Sequence, residues 1–503
     1  MNFVRSLHGA AAAVALLGFG SAAEAQILRV ASAAAVTDID PHGPNSVLRD
    51  TIMAVRQIFD PLVEFEGGEP VGRLATDWQQ VDDRTWRFTL RDGVKFHDGT
   101  TLDAADVVAT VKRQANSPGG LSRLWTQLED VKAIDATTVE IRLKEPVGPF
   151  LRNLSFLQIA PSEAVEAAGE EYGAAVLLPG TGPFRLESFT PGQTVELTAN
   201  PEYWDGAPAI EGVRIVNIPE LSGRITALLN DEIDVTWNIP DDQLGVLQGS
   251  KDVEVQLAPS VFYMFNWFNA AREPFDDPRV RRALWHAVDV KQVVADILPV
   301  TGKPAQAPIA STVFGWAAQE PYAYDPERAK QLLAEAGLPN GFSAELKYSV
   351  NFGSSIDQFA QTFAAYWADI GVEIRPMQLE HAVYTEDLRA LNWDMVMATN
   401  PTFTEDADYT LGRLYSSPNG VNEENSYVNP ELHDLLMRAR SSTDQAERAE
   451  LYRQAGKIIW DEAVGIFPAE LQAVYANRAD VEGLPLSPIY APHFRDVTIA
   501  QTN

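Results

Sequence analysis

The chain has no cysteine in 503 residues. That excludes disulfides, thiolate metal sites, cysteine nucleophiles and a lipid-modified N-terminal cysteine in one step. Basic residues are scarce: 39 Lys and Arg stand against 70 Asp and Glu, a formal net charge of −31. Nucleic-acid binding needs a basic footprint, so that class is excluded. Acidity of this size could steer cationic solutes, but it equally keeps a chain soluble, and net charge does not choose a site. Long apolar runs are missing too. The run over residues 10–20 is too short for a stable membrane anchor. The histidines, at positions 8, 42, 97, 286, 381, 433 and 493, are isolated, whereas metal sites need clusters. There is no His-Glu-x-x-His, no Gly-x-Ser-x-Gly and no Ser-x-x-Lys. Adjacent acids such as Asp82 and Asp83 point apart on an extended segment. No catalytic residue, metal site or cofactor is therefore expected.

What is present centres on residues 74–113, LATDWQQVDDRTWRFTLRDGVKFHDGTTLDAADVVATVKR. Trp86, Phe88 and Leu90 alternate with polar residues, the period of a half-buried strand. Asp92-Gly93 and Asp98-Gly99 are turn signals around a short second strand over 94–97. Asp103 caps a helix with Val107, Val108 and Val111 on one face. The order of these residues resembles the signature of family 5 solute-binding proteins, which serve ABC importers of peptides, nickel complexes and opines.

The resemblance implies an α/β, two-lobed periplasmic binding protein fold, type II and cluster C-like, with an extra subdomain in lobe one. Residues 1–25 read as a signal peptide: Arg5, the apolar run, then Ala23-Glu24-Ala25. The expectation is a periplasmic protein beginning near Gln26 and not lipid-anchored. Lobe one covers 26–265, with the inserted subdomain at about 60–178. Lobe two covers 266–471, and 472–503 returns to lobe one. Pro179-Gly180-Thr181-Gly182-Pro183 is a breaker cluster similar to the family's return point. Asp277-Pro278, Asp325-Pro326 and Asn429-Pro430 are three helix entries, and Ser355 with Gln358 forms a fourth, a capping box.

The same resemblance suggests where solute lies. The loop after the first strand faces the cleft, which brings in Ala34 and Val36. Peptide-binding members carry an aspartate that pairs with the peptide's α-ammonium in a Trp/Gly-rich loop. Here that position falls at Phe403, in the stretch NWDMVMATNPTFTEDADY over 392–409. Either the amine clamp is absent, or Glu405, Asp406 or Asp408 serves from a shifted loop. A solvated acidic loop is the plain alternative. Asn400 and Glu470 also fall near the cleft by the resemblance. Trp393, Tyr263 and Phe265 are candidates for its walls, although alternating aromatics such as Tyr263 and Phe265 usually pack inside. The implied function is capture of a peptide or peptide-like solute and delivery to inner-membrane permease subunits with cytoplasmic ATPases. A monomer is expected, with no nucleic acid bound. An opine, sugar derivative or metal chelate remains open as ligand. An exported hydrolase or a chemosensory binding protein are the rival classes.

Overall fold

Trp86, Phe88 and Leu90 of the strand Thr85–Leu90 turn inward, as their spacing predicts. The computed structural model describes residues 26–417 and 424–500. The expected signal segment 1–25 lies outside the described residues. Thr85–Leu90 sits between Ala75–Asp82 and Thr138–Leu143, and Leu128–Asp135 completes a four-stranded antiparallel sheet. The helix Ala104–Asn116 follows, with Asp103 and Asp106 forming a reciprocal capping box. Between them the expected strand over 94–97 does not form. Phe96 N donates to Thr100 O at 2.9 Å and Asp98 Oδ1 accepts from Thr100 N at 2.9 Å, so the segment is a turn. Its Val94 and Phe96 are still buried, in a separate hydrophobic cluster running from Leu62 to Ile159.

The breaker cluster is a joint between this layer and the rest. Gly180 packs so tightly on the end of the helix Arg49–Ile58 that a Cβ would lie 1.9 Å from Ile58 O. Only glycine fits there. Nearby, the buried Asp60 carboxylate accepts from Thr181 Oγ1, Tyr203 OH and Trp204 Nε1 at 2.8, 2.8 and 3.0 Å. The breaker cluster and the turn over residues 200–206 are thus the two halves of one junction around Asp60.

The main sheet is mixed. Ile27–Ser32 lies parallel to Gly212–Asn217 on one side and to Val235–Trp237 on the other. Beyond Gly212–Asn217 come Thr194–Ala199 and Phe184–Thr190, both antiparallel. Beyond Val235–Trp237 the order continues through Ala469–Arg478, Val253–Phe268, Met395–Pro401, Ser343–Ser349 and Glu373–Leu379. The 16-residue strand Val253–Phe268 changes partners along its length. Its first half pairs with Ala469–Arg478, and its second half with Met395–Pro401. The register against Ala469–Arg478 shifts between Pro259 and Tyr263. Ser260 Oγ donates to Leu471 O at 2.5 Å across that irregularity.

Helix entries divide instructively. Asp277, Asp325 and Asn429 each accept from backbone N–H groups of the helices they open. The expected capping box of Ser355 and Gln358 does not form. That helix, Ser354–Ala368, begins two residues early behind Gly353 at φ 83°, and no side chain caps it. Its stripe of Ile356, Phe359, Phe363 and Trp367 is buried. Among the described residues no helix is long and apolar enough to cross a membrane.

Candidate functional site

A cavity of about 480 Å³ opens where the sheet's register shifts. Phe262, Leu471 and Val474 from the two long strands form its floor. One wall comes from the helices Arg49–Ile58 and Leu221–Leu229, the turn at Asn238, and Tyr490. The opposite wall comes from Leu298, Thr301, Thr399 and the uncapped start of the helix Ser354–Ala368. A groove of about 530 Å³ also lies between Ala104–Asn116 and Ser162–Ala168, but a single layer lines it. Clefts between two bodies are the commoner solute sites.

The first wall is cationic. Arg224 is 4% exposed. Its Nη1 donates to Ile218 O and Pro219 O at 2.9 and 2.8 Å, and its Nε has no hydrogen-bond partner. Arg49 also carries a buried, unpartnered Nε. Its guanidinium rests over the Tyr490 ring, 5.3 Å from the centroid, and its Nη2 stands 3.8 Å from Asp50 Oδ2, beyond hydrogen-bond reach. Asp50 lies behind, 2% exposed, accepting from Ala34 N at 3.2 Å while its Oδ1 is unpartnered. Burial pushes the Asp50 carboxyl up against the pull of Arg49 and Arg224. Burial likewise pulls the Arg224 guanidinium down, with Asp50 opposing and Arg49 adding to it. Asn238 and Tyr490 hold left-handed backbone at φ 60° and 57°. Such strain in non-glycine residues gathers at binding sites, at a cost on the order of 1 kcal/mol each.

None of the residues singled out from the sequence lines this cavity. Their neighbours do: Phe262 beside Tyr263, Thr399 beside Asn400, and Leu471 beside Glu470. On a strand adjacent side chains face opposite ways, so Tyr263, Asn400 and Glu470 sit one residue out of phase with the cavity lining. Tyr263 is fully buried and its hydroxyl accepts from Asn400 Nδ2 at 3.2 Å. Phe265 stacks on Trp267 at 3.9 Å in the core. Trp393 is buried, its Nε1 donating to Leu388 O at 3.3 Å. Glu470 accepts from Ser311 N and Oγ at 2.9 and 2.5 Å, on the far face. Val36 is core, and its carbonyl accepts from Gly192 N at 2.8 Å. Ala34 does not line the cavity either; its N–H donates to Asp50 behind the wall.

In the acidic loop Asp406 and Asp408 are buried, Glu405 is partly exposed, and none of the three lines the cavity. Asp406 is 1% exposed and accepts from Arg448 Nη2 on both oxygens, at 2.8 and 3.0 Å. Asp408 is buried, with Arg440 Nε at 3.3 Å, and burial pushes its carboxyl up. Glu405, at φ 54°, faces Arg152 at 3.7 Å. Asp406 is thus committed to Arg448 and to Asp408 N, and it does not line the cavity. Phe403 does not line the cavity but touches a residue that does. Its ring lies edge-on to Phe262, 6.3 Å away, directly behind the cavity floor.

Sequence reading missed Arg49, Arg224, Tyr490 and the helix start at Ser354. One signal was available. Arg224 falls between Leu221 and Leu228, at i+3 and i−4, on the apolar face of its helix. A base on an apolar face must be buried or line a cavity. Among the described residues no group of three or more His, Asp or Glu is placed to hold a metal ion.

Comparison with known proteins agrees with this architecture. The glutathione-binding protein GsiB of Pectobacterium atrosepticum is 27% identical over 488 residues, covering 94% of this chain and 94% of that protein. The structure of the ABC transporter-associated periplasmic binding protein DppA of Helicobacter pylori, in complex with the peptide STSA, superposes with a TM-score of 0.79. It is 25% identical and covers 94% of this chain and 98% of that one. MoaA of A. tumefaciens R10, in complex with mannopinic acid, gives a TM-score of 0.78 at 26% identity, covering 95% and 100%. The mixed α/β architecture is that of the periplasmic binding proteins. Residues 69–422 match the middle region of the bacterial extracellular solute-binding proteins, family 5, and the chain belongs to that family, whose work is binding and not catalysis.

Proposed function

We propose that this chain is the periplasmic solute-binding subunit of an ABC importer, capturing a peptide-like small solute and delivering it to inner-membrane permease subunits. The observation that carries the reading is the cavity itself, set between two bodies joined by Val253–Phe268 and Ala469–Arg478 at a break in their register. The bodies correspond to lobe one, 26–265 with 472–503, and lobe two, 266–471. Contacts away from the cavity support closure. Gly148 N donates to Arg440 O at 2.7 Å, Arg152 reaches Thr404 O and Glu405, and Arg123 meets the Tyr409 hydroxyl. Closure about a hinge excludes water and makes each polar contact with solute selective. The relatives' ligands, glutathione and a short peptide, set the size and polarity. With Phe403 where an amine clamp would stand and Asp406 committed to Arg448, the solute is not held chiefly by a free α-ammonium.

The protein works as a monomer after removal of residues 1–25. Native mass spectrometry of protein isolated from periplasmic extract is the test. A bound small solute is expected, together with loss of its uptake when the gene is deleted. A solute-free protein whose deletion leaves uptake of peptides and related compounds intact would count against the proposal.

A further inference from the structure

Basic groups are rare in this chain, yet two arginines meet at one wall of the cavity. Neither is satisfied. Arg224 spends Nη1 on two backbone carbonyls and leaves its buried Nε without a partner. Arg49 donates no hydrogen bond among the described residues and rests on the Tyr490 ring. A guanidinium carries five donors, and leaving them unmade in a half-buried site is costly. Asp50 does not explain them. It is a single carboxylate behind two cations, and the nearer guanidinium nitrogen stands 3.8 Å from it.

The facing wall has the same sign. The helix Ser354–Ala368 is 15 residues long, has Gly353 at its N-cap and receives no side-chain cap. Its first N–H groups have no intrahelical acceptors, and the helix dipole places partial positive charge at that end. Asn351, Gly353, Ser354 and Ser355 line the cavity there. Against this stand Asp242, exposed on the cavity lining, and Asp357 in the helix's own first turn, which accepts from the Tyr348 hydroxyl. Phe262 and Tyr490, 5.8 Å apart, give the floor an aromatic surface beside the cations.

We infer that the solute is an oxyanion: a carboxylate or phosphate ester gripped by Arg49 and Arg224, facing the open N-terminus at Ser354, with an apolar part on Phe262 and Tyr490. This rests on the cavity being the solute site, and it adds the chemical class. The acid would satisfy the free guanidinium donors and the uncapped helix start together. A neutral or cationic solute would leave both unmet and desolvated.

The test uses the mature protein and matched pairs: N-acetylphenylalanine, phenylalanyl-leucine and glutathione against their carboxamides, and phenyl phosphate against phenol. Binding is followed by calorimetry at constant ionic strength, beside mass-spectrometric identification of any solute carried from the cell. At least one acid should bind 50-fold or more tighter than its neutral partner. Arg49→Gln and Arg224→Gln should each weaken it tenfold or more, while Arg282→Gln, far from the cavity, should not. Because Arg224 also holds two backbone carbonyls, Arg224→Lys serves as a folding control that keeps the charge. It should bind better than Arg224→Gln. Tight binding of a neutral or cationic solute, or acid binding untouched by both arginine variants, overturns the assignment and leaves the importer reading intact. Binding of nothing at all, carried or added, overturns both.

Discussion

His42 shows how a single residue can be tied down without being functional. It is fully buried, Arg113 Nη1 donates to its Nδ1 at 3.0 Å, and its Nε2 faces Gln158 O at 2.8 Å. Those partners require a neutral ring with the proton on Nε2, since a proton on Nδ1 would point at a guanidinium. Burial is the main cause of a pKa pulled down to about 4, with Arg113 adding to it and Asp40 opposing. Below pH 6.5 the unfolded chain takes up a proton that the folded chain refuses, so stability falls as pH drops from about 6.5 towards 4. A loss of a few kcal/mol is expected across that window, and His42→Gln should flatten it. Urea midpoints at a series of pH values would check this, and an equal slope in the variant would refute it. Asp406 supplies a second case at this scale. Replacing it with Ala strands a buried Arg448, and about 3–5 kcal/mol of stability should go with it. Were Asp406 instead an exposed ligand contact, thermal unfolding of the free variant would be unchanged.

At the scale of elements, much was legible. The signature's alternation placed Trp86, Phe88 and Leu90 correctly, and Asx-Pro pairs opened three helices as written. These signals are local: a period, a cap and a turn residue suffice. The site was not legible, for two physical reasons. Arg49, Arg224, Phe262, Ser354 and Tyr490 come from five separate segments, and no spacing rule links them. Where a strand was correctly assigned, its phase was not, and a phase error of one residue exchanges the cavity face for the core. Tyr263 and Phe265 pack inward while Phe262 faces the cavity. The contact at Gly148 lends itself to test at this scale. A Cβ there would lie 2.2 Å from Ser442 O and 2.4 Å from Arg448 Nε, both held in place by their own contacts. Gly148→Ala should push the small-sheet layer off the helices Pro430–Ser441 and Gln445–Asp461, at about 1–3 kcal/mol. Under the proposed closure this contact forms as the lobes meet, so solute affinity should fall roughly five- to hundredfold by the same free energy. Unchanged affinity in calorimetry would mean that Gly148 is not part of closure.

The whole molecule sets the long-range field, and here its sign opposes the site. The chain carries −31 while its cavity presents two guanidiniums and a helix N-terminus. An approaching oxyanion is repelled at a distance and attracted at contact. Salt acts on the two ranges differently. At about 0.01 M the screening length is about 30 Å, comparable with a lobe, and at about 0.15 M it is about 8 Å, comparable with the cavity. Raising salt therefore removes the repulsion first. The association rate constant should rise severalfold between those ionic strengths, while dissociation also quickens as salt competes for Arg49 and Arg224. Stopped-flow measurement of intrinsic fluorescence, using the 11 tryptophans, can separate the two rates. A cationic solute would show the reverse, with association slowing steeply as salt is added. The sign of that slope therefore reports the charge of the solute on its way in, independently of any substitution in the cavity, and a falling association rate would contradict the assignment of an oxyanion even if the arginine variants bound weakly.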